Sequence, residues 1–356
     1  MPLYSENIIT MADYITAEEV LCQVRKMPIQ ERARLKDILY SDNEGKHEIK
    51  EGLTQKRFAE GRVCPHCGGR HVRKNGHQPD GTQKYICVDC NKSFSITTKS
   101  IFFGTRKGKD VWRKFMKCMA DGKSLDYCAH ECGMTHATAF AWRHKILDAL
   151  SHAGNDTELS GIVEADELFF PVSYKGNSQH FEDCQERRPR RRGGEVHTKG
   201  LSDELVCVPC AVDDKGNAAS LVAKLGKCSK KALEKVLKER IVPGSTVCSD
   251  GEGSYTGFAK ENDLKLVKIK GGRKSIGQFN IQRINNYHTQ LRNFLVPFHG
   301  VSTKYLNNYL IWNNAVEYCK KYLENKLTLM LDAISAAMIN IRSNDIGCRP
   351  ELPIIA

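Results

Sequence analysis

The sequence has no apolar run that approaches the ~20 residues needed to cross a bilayer, and no strongly basic amphipathic segment. It also lacks anything that resembles a secretory signal, so we expect a cytoplasmic protein in a reducing compartment. Acidic residues are fewer than basic ones, with 42 Asp and Glu against 54 Lys and Arg, which gives a net charge of +12. Since phosphates lose counterions when they bind Lys and Arg, this balance favours nucleic acid over a membrane as the partner. The 356 residues are enough for two or three domains.

The segment 62–115 is basic, with twelve Lys and Arg against three Asp and Glu. Large apolar side chains are scarce in its first part. Two CxxC pairs lie there, Cys64 with Cys67 and Cys87 with Cys90. This spacing predicts a Cys₄ structural zinc site whose thiolates close a tetrahedral shell, and a pair of disulfides is the alternative. Because so small a segment cannot build much core, metal binding would supply its folding free energy.

The other eleven of the 15 cysteines are scattered and mostly lie in apolar contexts. Such residues are typically small buried hydrophobes. A third CxxC spacing, Cys207 with Cys210, lies inside a strand-like run and has no second pair to complete a metal site. We therefore predict that these two thiols belong to the core.

Helical patterns lie on both sides of the CxxC segment. Residues 1–60 predict a helical support that includes a polar linker at 42–51. Residues 125–150 have a helix-turn-helix signature, in which Gly133 takes the turn and Thr135 caps the second helix. An ordinary helical hairpin is the alternative. The second helix is predicted to expose a stripe suited to a major groove, made of His136, Thr138, Ala141 and Lys145.

Two Asp residues lie in or at the end of apolar, β-branched runs. Asp166 shares one face of a predicted strand, 162–170, with Glu164, and Asp250 follows a second short strand at 246–249. An unpaired carboxylate in such surroundings is costly unless a cation or hydrogen bonds compensate it. The pattern therefore predicts a site for two Mg²⁺ (or Mn²⁺) ions that performs phosphoryl transfer; helix caps or turns are the alternative.

The pattern around these two Asp residues is mixed α/β. Strands at 205–212 and 218–225 flank a turn, and a helix is predicted at 229–239. A further helix at 281–295 presents an amide, an imidazole and a guanidinium on one face, from Asn285, His288 and Arg292. A basic loop precedes the hairpin. Such runs are usually solvated surface, but near a metal site they would clamp DNA backbone, and the residues concerned are Arg188, Arg190, Arg191 and Arg192.

These motifs resemble those of bacterial and archaeal insertion-sequence transposases of the DDE type that carry an N-terminal zinc ribbon. The resemblance covers nearly everything from residue 62 to residue 312. Besides the four ribbon cysteines and Ser249-Asp250, it is carried by stretches in the same order along the chain. They are Glu164-Ala165-Asp166-Glu167, Ser173-Tyr174-Lys175-Gly176-Asn177, Arg188-Pro189-Arg190-Arg191-Arg192-Gly193-Gly194, Ile284-Asn285-Asn286-Tyr287-His288 and His299-Gly300-Val301-Ser302-Thr303-Lys304.

The resemblance implies an α/β, ribonuclease H-like mixed-sheet catalytic domain at 158–345. Ahead of it would lie an N-terminal helical segment at 1–60, a zinc ribbon at 61–98 and a helix-turn-helix DNA-binding region at 99–152. The implied activity is cleavage and strand transfer at the terminal inverted repeats of a mobile element, with two divalent ions. The implied partners are double-stranded DNA, from the transposon ends and the target, and further copies of the chain in a homo-oligomer. The implied location is the nucleoid of a prokaryotic cell.

Carried over residue by residue, Asp166 and Asp250 match the first two acidic positions of the family. The third position, usually Glu, is Asn285 here, as in one subgroup, and its amide oxygen can bind a metal but carries no charge. The usual Lys seven residues later is Arg292, which can still hold phosphate. His288 is a candidate auxiliary ligand or phosphate donor. A transposase-derived DNA-binding regulator and a metal-dependent nuclease without strand transfer are the alternative functions.

Overall fold

The structure is a computed structural model that describes residues 17–28, 31, 43–153, 158–176, 198–250, 253–269, 275–322 and 325–352. Among the helices of these residues, none is long and apolar enough to cross a membrane. The first two helices are α1 (Ala17–Lys26) and α2 (Asn43–Arg57). The predicted polar linker at 42–51 is wrong, because α2 occupies most of it. Two apolar residues of α2, Ile49 and Leu53, are fully buried against later helices, and this burial stabilises a helix in a polar stretch of sequence.

A small antiparallel sheet of three strands follows α2, in the order β1-β2-β3. Its few apolar residues form a cluster of their own, in which the rings of Tyr85 and Phe94 stack 5.5 Å apart. Phe58, just after α2, meets Tyr85 edge-on at 5.1 Å and so ties the sheet to the helical part. The strands are β1 (Val72–His77), β2 (Gln83–Cys87) and β3 (Ser93–Phe94).

Three helices come next, and they surround an aromatic core. Trp112 of the first stacks on Trp142 of the third, with ring centroids 3.7 Å apart. The predicted turn and cap are confirmed: Gly133 has φ +53°, and the Thr135 hydroxyl accepts a hydrogen bond of 3.2 Å from the backbone N–H of Thr138. The helices are α3 (Lys109–Ala120), α4 (Leu125–Glu131) and α5 (His136–Ala153).

The predicted exposed stripe on α5 is wrong beyond its first turn. Ala141 and Lys145 are buried, at 5% and 9% exposure, because α5 runs through the middle of the helical core and packs against two helices from the C-terminal part of the chain. Lys145 therefore does not face a groove of DNA. Of the four predicted residues, only the two at the start of α5 are accessible, with His136 exposed and Thr138 half-buried.

A six-stranded mixed sheet forms the second half of the molecule, and the mixed α/β pattern is confirmed. Strand order is β6-β5-β4-β8-β9, with β7 paired to β5. β4 runs antiparallel to β5 and parallel to β8, which is parallel to β9. The strands are β4 (Ile162–Pro171), β5 (Leu205–Asp213), β6 (Ala218–Ser220), β7 (Lys224–Leu225), β8 (Thr246–Ser249) and β9 (Lys265–Lys268). Cys207 and Cys210 are buried on β5, which confirms that this CxxC belongs to the core.

Helices cover both faces of the sheet, as the alternation along β4 requires. Val163 and Ala165 pack with α6 and α7, whereas Leu168 packs with α8 and α9 on the opposite face. α9 and α10 also contribute to the core around α5, so the last helices join the two halves. The helices are α6 (Lys230–Leu237), α7 (Gly253–Glu261), α8 (Gln282–Leu295), α9 (Leu306–Tyr322), α10 (Lys326–Ala336) and α11 (Ser343–Gly347), and a hairpin of β10 (Ser275–Ile276) and β11 (Phe279–Asn280) precedes α8.

Candidate active site and metal centre

Asp166 and Asp250 lie side by side on neighbouring parallel strands. In the β4–β8 pair Val163 is opposite Val247 and Glu164 is opposite Cys248. The same register two residues further along places Asp166 opposite Asp250, just where β8 has ended. Because adjacent strands lie about 4.8 Å apart, one small cation can contact both carboxylates. The sequence placed each Asp at a strand position, and the sheet brings them together.

The electrostatics of this pair favour a cation. Burial and, secondarily, the negative charge of Asp250 raise the pKa of the Asp166 carboxyl to about 6, against the opposing effect of the Glu167 N–H. The Asp166 side chain is about a quarter exposed. A carboxylate that is partly desolvated and lies beside another carboxylate is stabilised by a divalent ion, whose positive charge offsets both causes of the shift.

His288 is the third group at this position. Its Nδ1 lies 3.8 Å from Asp166 Oδ2, and the ring is 6% exposed. Burial, and secondarily the charge of Arg292, lowers the pKa of His288 to about 4, so the imidazole is neutral near pH 7. Its Nε2 is buried and has no hydrogen-bond partner among the described residues. A neutral imidazole is the form that binds a metal or donates to an anion.

Asn285 and Arg292 lie on the exposed side of α8, one turn before and one turn after His288. Residues three or four apart on a helix have Cβ atoms about 5–6 Å apart, so all three share one stripe of α8. The structure thus joins Asp166 directly to His288, and places Asn285 and Arg292 at the solvent-facing rim. The four arginines at 188 and 190–192 lie outside the described residues.

Two acidic residues beside Asp166 have roles that the sequence did not indicate. Glu164 is fully buried and accepts hydrogen bonds from the backbone N–H groups of Arg283 and Ile284, at 2.7 and 3.1 Å. Glu167 points to the opposite face of β4, where burial and then the charge of Asp166 raise its pKa to about 7 while Tyr255 partly offsets the shift. The period-two alternation along β4 was the one sequence signal that could have placed Glu164 and Glu167 on opposite faces of the strand.

Two of the stretches that carry the family resemblance meet at the end of β4. Ser173 N–H donates to Thr303 Oγ1 and Thr303 N–H donates to the Ser173 carbonyl, both at 2.8 Å. The ammonium of Lys175 donates to three consecutive carbonyls, those of Phe298, His299 and Gly300, at 2.9 to 3.1 Å. These contacts therefore join the segment that follows β4 to the segment that follows α8.

The four predicted thiols of the ribbon converge on one point. Their sulfur atoms all lie within 4.8 Å of one another, with Cys64 and Cys90 3.7 Å apart and Cys67 and Cys87 3.6 Å apart. A disulfide has its sulfur atoms about 2.05 Å apart, whereas a tetrahedron with Zn–S bonds of about 2.3 Å has edges of about 3.8 Å. The donor set and its spacing fit a zinc ion and exclude the disulfide alternative.

The two CxxC turns have the same backbone geometry. In the first, Cys64 N–H donates to the Gly69 carbonyl, and in the second, Cys87 N–H donates to the Lys92 carbonyl, five residues ahead in each case. The residue after the second cysteine is left-handed in both turns, with φ +77° at Gly68 and +56° at Asn91. Gly and Asn are the residues that adopt this conformation most readily, so the sequence itself encodes the paired geometry.

Comparison with known proteins relates this chain to proteins of transposable elements. Residues 158–312 match the family model described as an ISXO2-like transposase domain. Over 264 residues the chain is 23% identical to an uncharacterized protein in transposable element ISH50 of Halobacterium salinarum, a match that covers 72% of this chain and 86% of that protein. One chain of a solved structure, the crystal structure of a pre-cleavage Mos1 transpososome, overlaps 62% of this chain and 78% of its own length at 8% identity. Its TM-score of 0.20 is too low to support an argument.

Proposed function

Because this chain carries an insertion-sequence transposase domain of the DDE type at residues 158–312, we propose that it binds the terminal inverted repeats of a mobile DNA element and catalyses metal-dependent cleavage and strand transfer. The observation that carries the proposal is that Asp166 on β4 interacts with Asp250, which follows the end of the parallel neighbouring strand β8. Two carboxylates in that position suit Mg²⁺ or Mn²⁺, which take oxygen ligands and leave positions for water and phosphate.

Asp166, Asp250 and the side chains around them have different proposed roles. Asp166 and Asp250 would hold two divalent ions, which would supply activation of the attacking oxygen and stabilisation of the leaving oxygen of a phosphodiester. Asn285 provides a neutral oxygen ligand in place of the usual Glu. Arg292 holds a DNA phosphate at the exposed rim, and His288 serves as auxiliary ligand or phosphate donor. Support for these roles comes from the shared stripe on α8 and the contact between His288 and Asp166.

The catalytic domain is ribonuclease H-like in this proposal. Support comes from the central five-strand path β6-β5-β4-β8-β9, with β5 antiparallel and β8 parallel to β4. The proposed boundaries are a helical segment at 1–60, the ribbon at 61–98, a helix-turn-helix region at 99–152 and the catalytic domain at 158–345. The C-terminal helices of the last region share a core with the helix-turn-helix, which would keep the two regions in a fixed relation.

Recognition of the element's end belongs to the ribbon and the helix-turn-helix. The ribbon holds one structural Zn²⁺ through Cys64, Cys67, Cys87 and Cys90, and its strand β1 exposes basic residues. The first turn of α5, with His136 and Thr138, faces the major groove. The arginines of the basic loop, Arg188, Arg190, Arg191 and Arg192, contact the DNA backbone, and the chain acts as a homo-oligomer on DNA.

A strand-transfer assay tests the proposal. The full chain is incubated with a duplex that carries its element's terminal repeat, a plasmid target and Mg²⁺. We expect cleavage at the repeat and covalent joining to the plasmid, both abolished by Asp166→Ala and unaffected by Asp332→Ala, an exposed acid on α10. Cleavage without joining would identify a nuclease. Repeat binding with neither reaction, under conditions that support a related transposase, would identify a regulator and overturn the proposal.

A further inference from the structure

The helix that carries Asn285, His288 and Arg292 is held at both ends by residues of one short segment, β4 and the four residues after it. Glu164 contacts the start of α8, and Lys175 contacts the turn that continues α8 at its other end. Asp166 lies between them in the chain. One strand therefore presents a carboxylate to the site and also fixes the helix that forms the opposite side of that site.

Glu164 replaces a cap that α8 lacks. The residue at the capping position is Ile281, whose side chain makes no cap hydrogen bond. Glu164, more than 100 residues earlier, accepts from two backbone N–H groups of the first turn and from Arg283 Nη1 at 2.9 Å. Its carboxylate is fully buried. A negative charge at the positive end of the helix dipole is stabilising, and here it also satisfies N–H groups that would otherwise be buried without partners.

Lys175 provides the opposite charge at the opposite end. A 3₁₀ turn, Val296–Phe298, continues α8, and His299 ends it in the left-handed region at φ +51°. The three N–H bonds of the Lys175 ammonium point to the carbonyls of Phe298, His299 and Gly300. A cation belongs at this negative end of the helix, and all three of its donors are used inside the protein.

We propose that Glu164 and Lys175 are positioning residues that fix α8 along its axis and in rotation relative to Asp166. Active-site groups must be held within about 0.5 Å of the productive geometry, and a helix with one end free frays from that end. In this proposal neither residue contacts DNA or metal; each acts through α8. Loss of either contact lets His288 and Asn285 move away from Asp166, so metal affinity falls by about 10- to 100-fold, as for other groups that orient ligands.

Hydrogen exchange measured on the full chain, without DNA or metal, tests this directly. We expect Glu164→Gln to speed exchange of the amides at 281–287 about tenfold or more, and Lys175→Met to do the same at 294–300. Lys304→Met is the matched control, because Lys304 donates to the Gly347 carbonyl away from α8 and should leave 281–300 unchanged. Unchanged exchange of α8 in both variants would overturn the proposal.

Metal and DNA titrations separate positioning from direct contact, and the Mn²⁺ and cleavage readouts rest on the proposed function, whereas hydrogen exchange does not. Mn²⁺ affinity should fall in Glu164→Gln and Lys175→Met, be restored in part by Lys175→Arg, and stay normal in Lys304→Met. Cleavage by the variants should recover in part at high Mn²⁺. Weaker DNA binding by Lys175→Met with normal Mn²⁺ affinity would make Lys175 a DNA contact and contradict the proposal.

Two outcomes need a second variant or a separate readout. If Glu164→Gln does not fold, Arg283→Met removes one of the three hydrogen bonds from a half-exposed side chain and should give a smaller change of the same sign. If the wild-type chain shows no strand transfer, the proposed function fails while the exchange data still decide the positioning role. Exchange unchanged in Arg283→Met as well as in Lys175→Met would contradict that role.

Discussion

The ribbon and the acidic site are built in opposite ways. The four thiols of the ribbon lie within 27 residues of chain, at the ends of short turns, and their sulfur atoms nearly touch. The acidic site takes Asp166 from β4, Asp250 from the end of β8 and His288 from α8, residues that are up to 122 positions apart. The first arrangement is local and the second depends on the whole sheet.

The difference in construction matches a difference in what each site can do. Four thiolates close a tetrahedral shell, so a metal there stabilises the fold but has no position for a substrate. Two carboxylates and a neutral imidazole, beside the exposed Asn285, leave room for water and phosphate. A closed site therefore supports structure, and an open site supports chemistry. Four experiments test this difference.

Chelation should separate the two sites most strongly. Mild treatment with a chelator is expected to remove ions from the open acidic site and to lower strand cleavage by about 1,000-fold or more, because bound ions supply several kcal/mol of charge stabilisation. Added Mg²⁺ should restore activity, while metal analysis finds about one zinc per chain throughout. If zinc is lost and regained together with activity, the two sites do not differ in this way.

Loss of zinc from the ribbon should weaken recognition of the terminal repeat, which comes before catalysis. Cys87→Ser is expected to release zinc, unfold the ribbon and weaken binding to the terminal repeat by about 10- to 100-fold, since the segment has little core of its own. Cys348→Ser, at an exposed thiol outside the cluster, is the matched control and should bind normally. Binding is measured by fluorescence anisotropy and zinc by elemental analysis. Full affinity in a zinc-free Cys87→Ser protein would show that the ribbon is not needed for recognition.

The third ligand of the acidic site is tested by comparing Asn285→Ala with His288→Ala. Asn285 matches the family's third position, so its loss should lower cleavage more, by about 100-fold against about 10-fold for His288→Ala. Both variants should bind the terminal repeat as the wild type does. The reverse order, with His288→Ala inactive and Asn285→Ala near normal, would mean that the imidazole next to Asp166 holds the metal and that the carried-over position is off by one helical turn.

The stability of the helical core should depend on pH and not on metal ions, and this effect is the smallest of the four. His144 is fully buried between Phe140 and Tyr305, and burial, with the charges of Arg349 and Arg143, keeps its pKa well below 6.5. The unfolded chain binds this proton near pH 6.5 and the folded chain does not. The free energy of unfolding should therefore decrease as pH falls below about 6.5, by up to about 1.4 kcal/mol per pH unit.

Urea unfolding at several pH values measures this slope. His144→Phe keeps a planar ring between the aromatic neighbours and should give a slope shallower by about one proton between pH 6.5 and 5.5. Asp148, which also faces this region and pairs with Arg349, has a pKa raised by burial and is present in both wild type and variant, so its contribution is common to the two slopes. Equal slopes in wild type and variant would mean that His144 accepts its proton without unfolding.

Much of both sites was predictable from the sequence, and the reason differs between them. The ribbon ligands follow from spacing alone, because CxxC turns are local and thiols are specific for soft metals. Asp166 and Asp250 follow from strand periodicity and from the end of an apolar run, which fix the face and the edge of each carboxylate. Their partnership in one site rests on the register between β4 and β8, which no local pattern contains.

Features that depend on neighbours in the chain follow from local sequence patterns: the four thiols, the turn at Gly133, the cap at Thr135 and the faces of β4. Features that depend on distant elements arise only in the tertiary fold. The fold buried Lys145 against C-terminal helices, stabilised α2 through Ile49 and Leu53, and turned Glu164 into the missing cap of α8. Burial and helix capping are set by the surface that packs against each residue, and that surface comes from elements far away in the chain.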